Sequence, residues 1–195
     1  MRTKLVCAML VLGCLISPGV ASADGPGEAV AEMLELAKEA TSGEGEGAAA
    51  QTFAEGFDMR AFARRCMVDH WSALSPSQRD EFVEVFSSVL RRRLERLESK
   101  GSGREGFAYK VGRAVKDAGG ATRVPASVTA DGATVEFVYY LVNDGGDYRL
   151  VDYEVEGAML SRQYRGQFNR IMRKRGYEGL MDRLRVKYAQ ISGNG

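Results

Sequence analysis

Few residues in this chain have the types and spacing that chemistry requires. His70 is the sole histidine and it follows Asp69, the composition of an acid–base dyad. Consecutive residues on a helix do not face each other, and no serine or cysteine is obviously paired with them, so a surface or capping histidine is expected. Asp152, Glu154 and Glu156 fall at spacing two on one face of a strand. That arrangement can hold a metal ion or an acid pair, and it is also how a solvated sheet face looks; the solvated face is the expectation. One histidine excludes a multi-histidine metal site, and the Cys/His zinc spacings are absent. The short glycine clusters lack GxxxxGK[ST] and GxGxxG, so neither a nucleotide nor another cofactor is expected. Arg91-Arg92-Arg93, with Glu95 and Glu98 nearby, reads as a solvated helix face without the interleaved aromatics of a single-strand binder. The chain therefore offers no catalytic residue and no metal ligand set, and is read as a non-enzyme.

The composition agrees. The chain has 195 residues, of which 45% are hydrophobic and 27% charged, with a formal net charge of +1. This is an ordinary globular balance, without the strongly basic signature of a nucleic-acid partner. Residues 1–23 read as a signal peptide: Arg2 and Lys4, then apolar Leu5 to Ile16, then the small-residue site Ala21-Ser22-Ala23. Val11-Leu12-Gly13-Cys14 is a faint lipoprotein box, but apolar residues continue past Cys14 and the Ala-Ser-Ala site follows, so cleavage is the expectation. The apolar run is short for a membrane span, and no later segment approaches ~18 apolar residues. Cys7 and Cys14 would leave with the signal. Cys66, among Phe62 and Met67, would remain as a buried, inert thiol.

The elements that would position these residues follow from hydrophobic periodicity. Asp24 to Ser42 carries Val30, Met33, Leu34 and Ala37 at helical spacing on an acidic background. Gly43 to Gly47 reads as a loop. A second helical region runs from Phe53 to Leu74, with Asp58 as N-cap. The next helix has Ser75 as N-cap, Pro76 at its first position and Gln78 completing a capping box. It carries two apolar rows, Val83, Phe86, Leu90, Leu94 and Leu97 beside Phe82, Val85 and Val89, and ends at Ser99 to Gly103.

From Phe107 the period becomes two: Phe107, Tyr109, Val111 and Val115; then Val124, Ala126 and Val128; then Val135, Phe137, Tyr139 and Leu141; and, after a turn at Asn143 to Gly146, Val151, Tyr153 and Val155. Pro125 implies an open edge or a bulge. The third strand is apolar on both faces from Val138 to Val142, so each face must meet something. Tyr164, Phe168 and Ile171 then mark a helix ended by Gly176. Tyr177, Leu180, Met181, Leu184, Tyr188 and Ile191 mark a last one. The expected fold is α+β, a twisted antiparallel sheet of about four strands packed with helices.

Charge is separated along the chain. Nine acids oppose one lysine from Asp24 to Asp58, and nine bases oppose two acids from Arg162 onward. The two ends either neutralise one another, stay as solvated faces, or leave a basic surface for an anionic headgroup or an acidic partner.

Four segments in order resemble the MlaC family, also called toluene-tolerance auxiliary proteins. Ser75-Pro76-Ser77-Gln78-Arg79-Asp80-Glu81-Phe82 resembles the family's (T/S)P-x-QR-x-x-F. The segment Tyr148-Arg149-Leu150-Val151-Asp152-Tyr153-Glu154-Val155-Glu156-Gly157 resembles W-x-x-Y/V-D…EG. Tyr164-Arg165-Gly166-Gln167-Phe168 resembles YR-x-QF, and Gly176-Tyr177-Glu178-Gly179-Leu180 resembles G-x-x-GL. Tyr148 stands where Trp is usual, and Ala158-Met159-Leu160 where Val-Ser-Leu/Met is usual. The resemblance implies one carrier domain over residues 24–191, mainly helical to 105, sheet over 106–156 and helical over 157–191, with a nuclear-transport-factor-2-like cone.

The function it implies is a periplasmic phospholipid carrier that helps maintain outer-membrane lipid asymmetry. Its partners would be an outer-membrane lipoprotein complex and an inner-membrane ABC transporter with an MCE-domain subunit, with transient membrane-proximal contacts. Both acyl chains of the cargo would lie between sheet and helices. A hopanoid-associated branch shares the motifs, and a non-catalytic adaptor or an enzyme in the cone are the other readings. Periodicity assigns the lipid-binding wall to Phe82, Val85, Phe86, Val89, Val135, Phe137, Tyr139, Leu141, Met159 and Phe168. On that assignment, Phe137→Glu would abolish lipid binding without unfolding.

Overall fold

The computed structural model describes residues 25–42, 56–101 and 106–193. The signal segment, the loop at Gly43 to Gly47 and the start of the second helical region at Phe53 lie outside them, as do the side chains of 97–101, Leu97 among them.

Helix α1 (Pro26–Ser42) buries Val30, Met33, Leu34 and Ala37 and packs on strands β1 and β3 defined below. Helix α2 (Met59–Cys66) opens where the Asp58 carboxylate accepts the Ala61 N–H at 2.8 Å. The helical region then breaks into turns and a short 3₁₀ segment, Trp71–Ala73, rather than running on to Leu74. The Arg79 guanidinium holds this turn, donating to the Trp71 and Ser72 carbonyls at 2.9 and 3.2 Å and lying 5.7 Å from the Trp71 ring centre. Helix α3 (Pro76–Gly101) begins with the expected box. The Ser75 N–H donates to Gln78 Oε1 at 2.9 Å, and the Gln78 N–H to Ser75 Oγ at 3.2 Å.

Six antiparallel strands form one open sheet: β1 (Ala108–Val111), β2 (Val115–Lys116), β3 (Thr122–Ala130), β4 (Ala133–Asp144), β5 (Asp147–Val155) and β6 (Ala158–Met159). Their order is β1-β3-β4-β5-β6, with β2 also on β3. The strand expected from Phe107 to Val115 is in two pieces. Pro125 has no N–H to offer where the chain passes it, and its carbonyl accepts from Gly112 at 2.8 Å in the gap between β1 and β2. Val115 is consequently an exposed edge residue rather than a core one. Three hairpins, β3–β4, β4–β5 and β5–β6, turn on two residues with positive φ: Asp131-Gly132, Gly145-Gly146 and Glu156-Gly157, the geometry that matches strand twist. The far edge of β5 is capped where Phe57 bridges Leu150.

The pairing of β4 with β5 slips between Tyr140/Asp152 and Leu141/Leu150, leaving Val151 as the extra residue of a bulge. Leu150 and Tyr153 both reach the main core, although strict alternation would put them on opposite faces. Val151, expected beside Tyr153 and Val155, joins Tyr140 and Ala121 on the other face instead. That second cluster, flanked by Ala61 of α2 and Met159 of β6, is what covers the outer apolar side of β4.

Helix α4 (Leu160–Ser192) is one helix in path but bends at Gly176, which has φ 65° and ψ −167°. This backbone region is essentially reserved for glycine, and a Cβ would meet nothing there, so the constraint is purely conformational. The Tyr177 hydroxyl, next in sequence, donates to the Gln78 carbonyl and to Glu81, each at 2.8 Å, and Arg185 pairs with Glu81. The second half of α4 is thereby tied to the start of α3. The acidic α1 packs at the β1 edge and the basic α4 against β5 and β6, so the fold keeps the two charged segments at opposite edges of the sheet.

Candidate functional site

The helical face of α3 and the two halves of α4 meet over a ring cluster. Phe86 lies 5.8 Å from Phe62, 5.4 Å from Phe82, 5.0 Å from Tyr164 and 5.2 Å from Phe168, centre to centre. Above this floor is a cavity of about 440 Å³, within the range of small-molecule sites. Its apolar wall comes from α3 (Phe86, Val89, Leu90, Leu94), from α4 before the bend (Leu160, Tyr164, Phe168, Ile171) and from α4 beyond it (Leu180, Leu184, Ile191). Phe57 and Phe62 close one side, and the sheet contributes Tyr153.

The polar lining is Arg93, Gln163, Gln167, Arg183, Lys187 and Gln190. Among the described residues no lining residue is an acid, a histidine or a cysteine. Arg93 is half-buried and hydrogen-bonds the Tyr164 phenol; burial pushes that phenol above its usual range, and the guanidinium pulls it part of the way back. Gln163, Gln167, Arg183, Lys187 and Gln190 are exposed at the mouth. Arg93, expected on a solvated face, instead turns into the cavity because it lies one turn from Val89 and Leu90 on the buried stripe. Arg92 keeps to the surface and pairs with Glu95 at 2.8 Å.

Of the ten residues assigned to the wall by periodicity, Phe86, Val89 and Phe168 line this cavity. Phe82, Val135, Phe137, Tyr139 and Leu141 are buried in the main core outside it, and Val85 is half-buried against that core. Met159 lies on the opposite side of the sheet, paired with Glu154 after the Glu156-Gly157 turn. These side chains belong to the main core, and the cavity described above lies among the helices, touched by the sheet at Tyr153. Phe137→Glu would bury a carboxylate beside Tyr139, 5.8 Å away ring to ring, and would unfold the protein instead of emptying the site. The residues that periodicity missed are chiefly on α4. Their helical spacing was evident, but which of two stacked helices faces a void is not encoded in spacing.

The carboxylates that were candidates for chemistry have structural partners. Asp69 accepts from the Asn169 side-chain amide, anchoring the turn after α2 to α4. Glu154 accepts the Tyr140 hydroxyl at 2.6 Å, and Glu156 accepts the Glu136 N–H at 2.8 Å. Asp152 departs from the expected solvated face: it is fully buried, accepting from the Ser161 N–H and hydroxyl and from the Tyr153 N–H. It serves the first turn of α4, where the helix has free N–H groups. Burial pushes this carboxyl above its ordinary value of 3.8, and the Ser161 hydrogen bonds offset only part of the rise. Cys66 is buried too; burial, reinforced by Asp152, drives its thiol well above the usual range. Among the described residues no cluster of three or more His, Cys, Asp or Glu could hold a metal ion, and no helix is long and apolar enough to cross a membrane.

A raised carboxyl pKa means that the folded state holds its proton to higher pH than the unfolded chain does. Stability from Asp152 is therefore fully present below the ordinary carboxylate range and is lost as pH rises through the raised value. The expected outcome is that wild type loses stability relative to Asp152→Asn as pH rises from about 4, measured by urea unfolding of both proteins at a series of pH values. A difference between the two that does not change with pH would contradict it.

The chain matches the family model described as MlaC protein over residues 28–186. No curated protein matches it. A solved structure of a phospholipid-binding protein from Ralstonia solanacearum, in complex with a phospholipid, is similar in fold: the TM-score is 0.62 at 21% identity, covering 98% of this chain and 96% of that one. With a family match running from α1 into the last turns of α4, this chain belongs to the MlaC family.

Proposed function

We propose that this protein is a phospholipid carrier whose cavity between α3 and the bent α4 takes acyl chain out of water. The observation that carries the reading is that cavity: an apolar wall of eleven side chains from α3 and α4 plus Phe57, Phe62 and Tyr153, open at a polar mouth, with no acid, histidine or cysteine in its lining among the described residues. An enzyme in the same space would need one of those groups aimed at its substrate. The similar protein that holds a phospholipid supports the choice of ligand.

The energetics suit a carrier. Each buried methylene contributes about 0.8 kcal/mol against water, so a chain of roughly 15 is worth on the order of 12 kcal/mol gross. Escape into water is slow for that reason. Exchange between bilayer and cavity trades one apolar setting for another, and what the protein lowers is the barrier. The cavity of about 440 Å³ is within the range of sites that bury most of a small ligand.

The proposal extends to the cellular setting. The signal segment would deliver the protein to the periplasm, where it would pass lipid between an outer-membrane lipoprotein complex and an inner-membrane ABC transporter with an MCE-domain subunit. Mass spectrometry of an organic extract of the gently purified protein tests the core of the reading. Stoichiometric phospholipid is expected. Protein that carries none and takes up none from phospholipid vesicles would favour an adaptor instead.

A further inference from the structure

The cavity mouth is chemically one-sided. Arg93, Arg183 and Lys187 come from two helices and three separate turns, yet converge on one opening. Among the described residues none of the three is ion-paired with a carboxylate, whereas Arg92, beside Arg93, and Arg185, between Arg183 and Lys187, both are. The acids of this part of α4 point elsewhere: Asp182 pairs with Arg185, away from the opening. Arg93 is the telling member, because a half-buried guanidinium gives up water and here receives only the neutral phenol of Tyr164 in return. An anion at the mouth would restore what Arg93 lacks and would meet two further cations, Arg183 and Lys187, at the exposed rim.

Resting on the carrier reading, we infer that Arg93, Arg183 and Lys187 form a headgroup site that selects phospholipids of net negative charge over zwitterionic ones. Both classes carry a phosphodiester, so the phosphate alone does not discriminate. The zwitterionic headgroup also brings an ammonium into the same small volume, where three cations repel it. A headgroup ending in hydroxyls adds no such charge and can donate to Gln163 or Gln167. With the chain seated between α3 and α4, the phosphate is held at the mouth, where the lipid emerges into water.

The test is competition. Delipidated protein is incubated with vesicles containing equal amounts of phosphatidylglycerol and phosphatidylethanolamine of identical acyl chains, and the bound ratio is read by native mass spectrometry. Wild type is expected to hold the anionic lipid in about fivefold excess or more, the size of one half-exposed charge-assisted contact. The double variant Arg183→Gln with Lys187→Gln, both exposed positions, should lower the ratio by about half or more; adding Arg93→Gln should bring it close to one. Arg91→Gln with Arg173→Gln, exposed arginines off the cavity wall, should leave the ratio as in wild type. A wild-type ratio near one, a ratio kept in the double variant, or an equal loss in the off-wall control would each overturn the headgroup site. Binding of neither lipid by wild type would overturn the carrier reading beneath it.

Discussion

A tryptophan at Ile171 or at Leu184 is expected to empty the protein of lipid. Both side chains form the wall of the cavity, one on each side of the α4 bend. An indole in place of either occupies space that an acyl chain needs. Displacing three methylenes costs about 2.4 kcal/mol at ~0.8 each, which is roughly a 50-fold loss of affinity. Overpacking against α3 is itself destabilising by about 1–3 kcal/mol, so the folded state is checked by circular dichroism beside the lipid-to-protein ratio. Met159→Trp is the companion measurement, since Met159 sits on the other side of the sheet with Tyr140 and Val151. It should keep the wild-type load. Wild-type load in the folded cavity variants, or loss in Met159→Trp alone, would move the site to the sheet.

Phe86→Ala is expected to be the most destabilising of the aromatic truncations, at about 3–5 kcal/mol. Phe86 has no exposure and touches four rings from α2, α3 and α4. Its removal forfeits area and also the aromatic pair terms, each about 0.5–1.5 kcal/mol. The floor cannot collapse readily, because Phe62, Phe82 and Phe168 are each held from another direction. Urea unfolding should show the midpoint falling with an unchanged slope, and thermal unfolding a drop of roughly 10 °C. A loss below about 1.5 kcal/mol, the cost of removing a single methyl group from a core, would mean that the rings are not the keystone of the helical layer.

Much of this architecture could be read from local chemistry. The Ser75–Gln78 box starts α3 because both partners lie within one turn, and Asp58 caps α2 for the same reason. Gly176 marks a helix boundary because its backbone conformation excludes side chains, whatever surrounds it. Pro125 announces an open edge or a bulge in its own strand because a missing N–H is a property of the residue alone; that the gap falls between β1 and β2 is decided by the pairing. The buried positions of α1, β3 and β4 follow their periods closely.

What resisted reading depends on contacts between distant segments. The bulge at Val151 reverses the parity of β5 and carries Asp152 into a buried cap for α4; two strands must meet before such a slip exists. Arg93 looked solvated beside Arg91 and Arg92, and became a wall residue only when α4 folded back over α3. The cavity lies among the helices and meets the sheet at Tyr153. Composition and period establish that a side chain will be covered. Whether it is covered by another side chain or left facing empty space is set by how helices from opposite ends of the chain stack, and that depends on volumes and crossing geometry no single stretch of sequence contains.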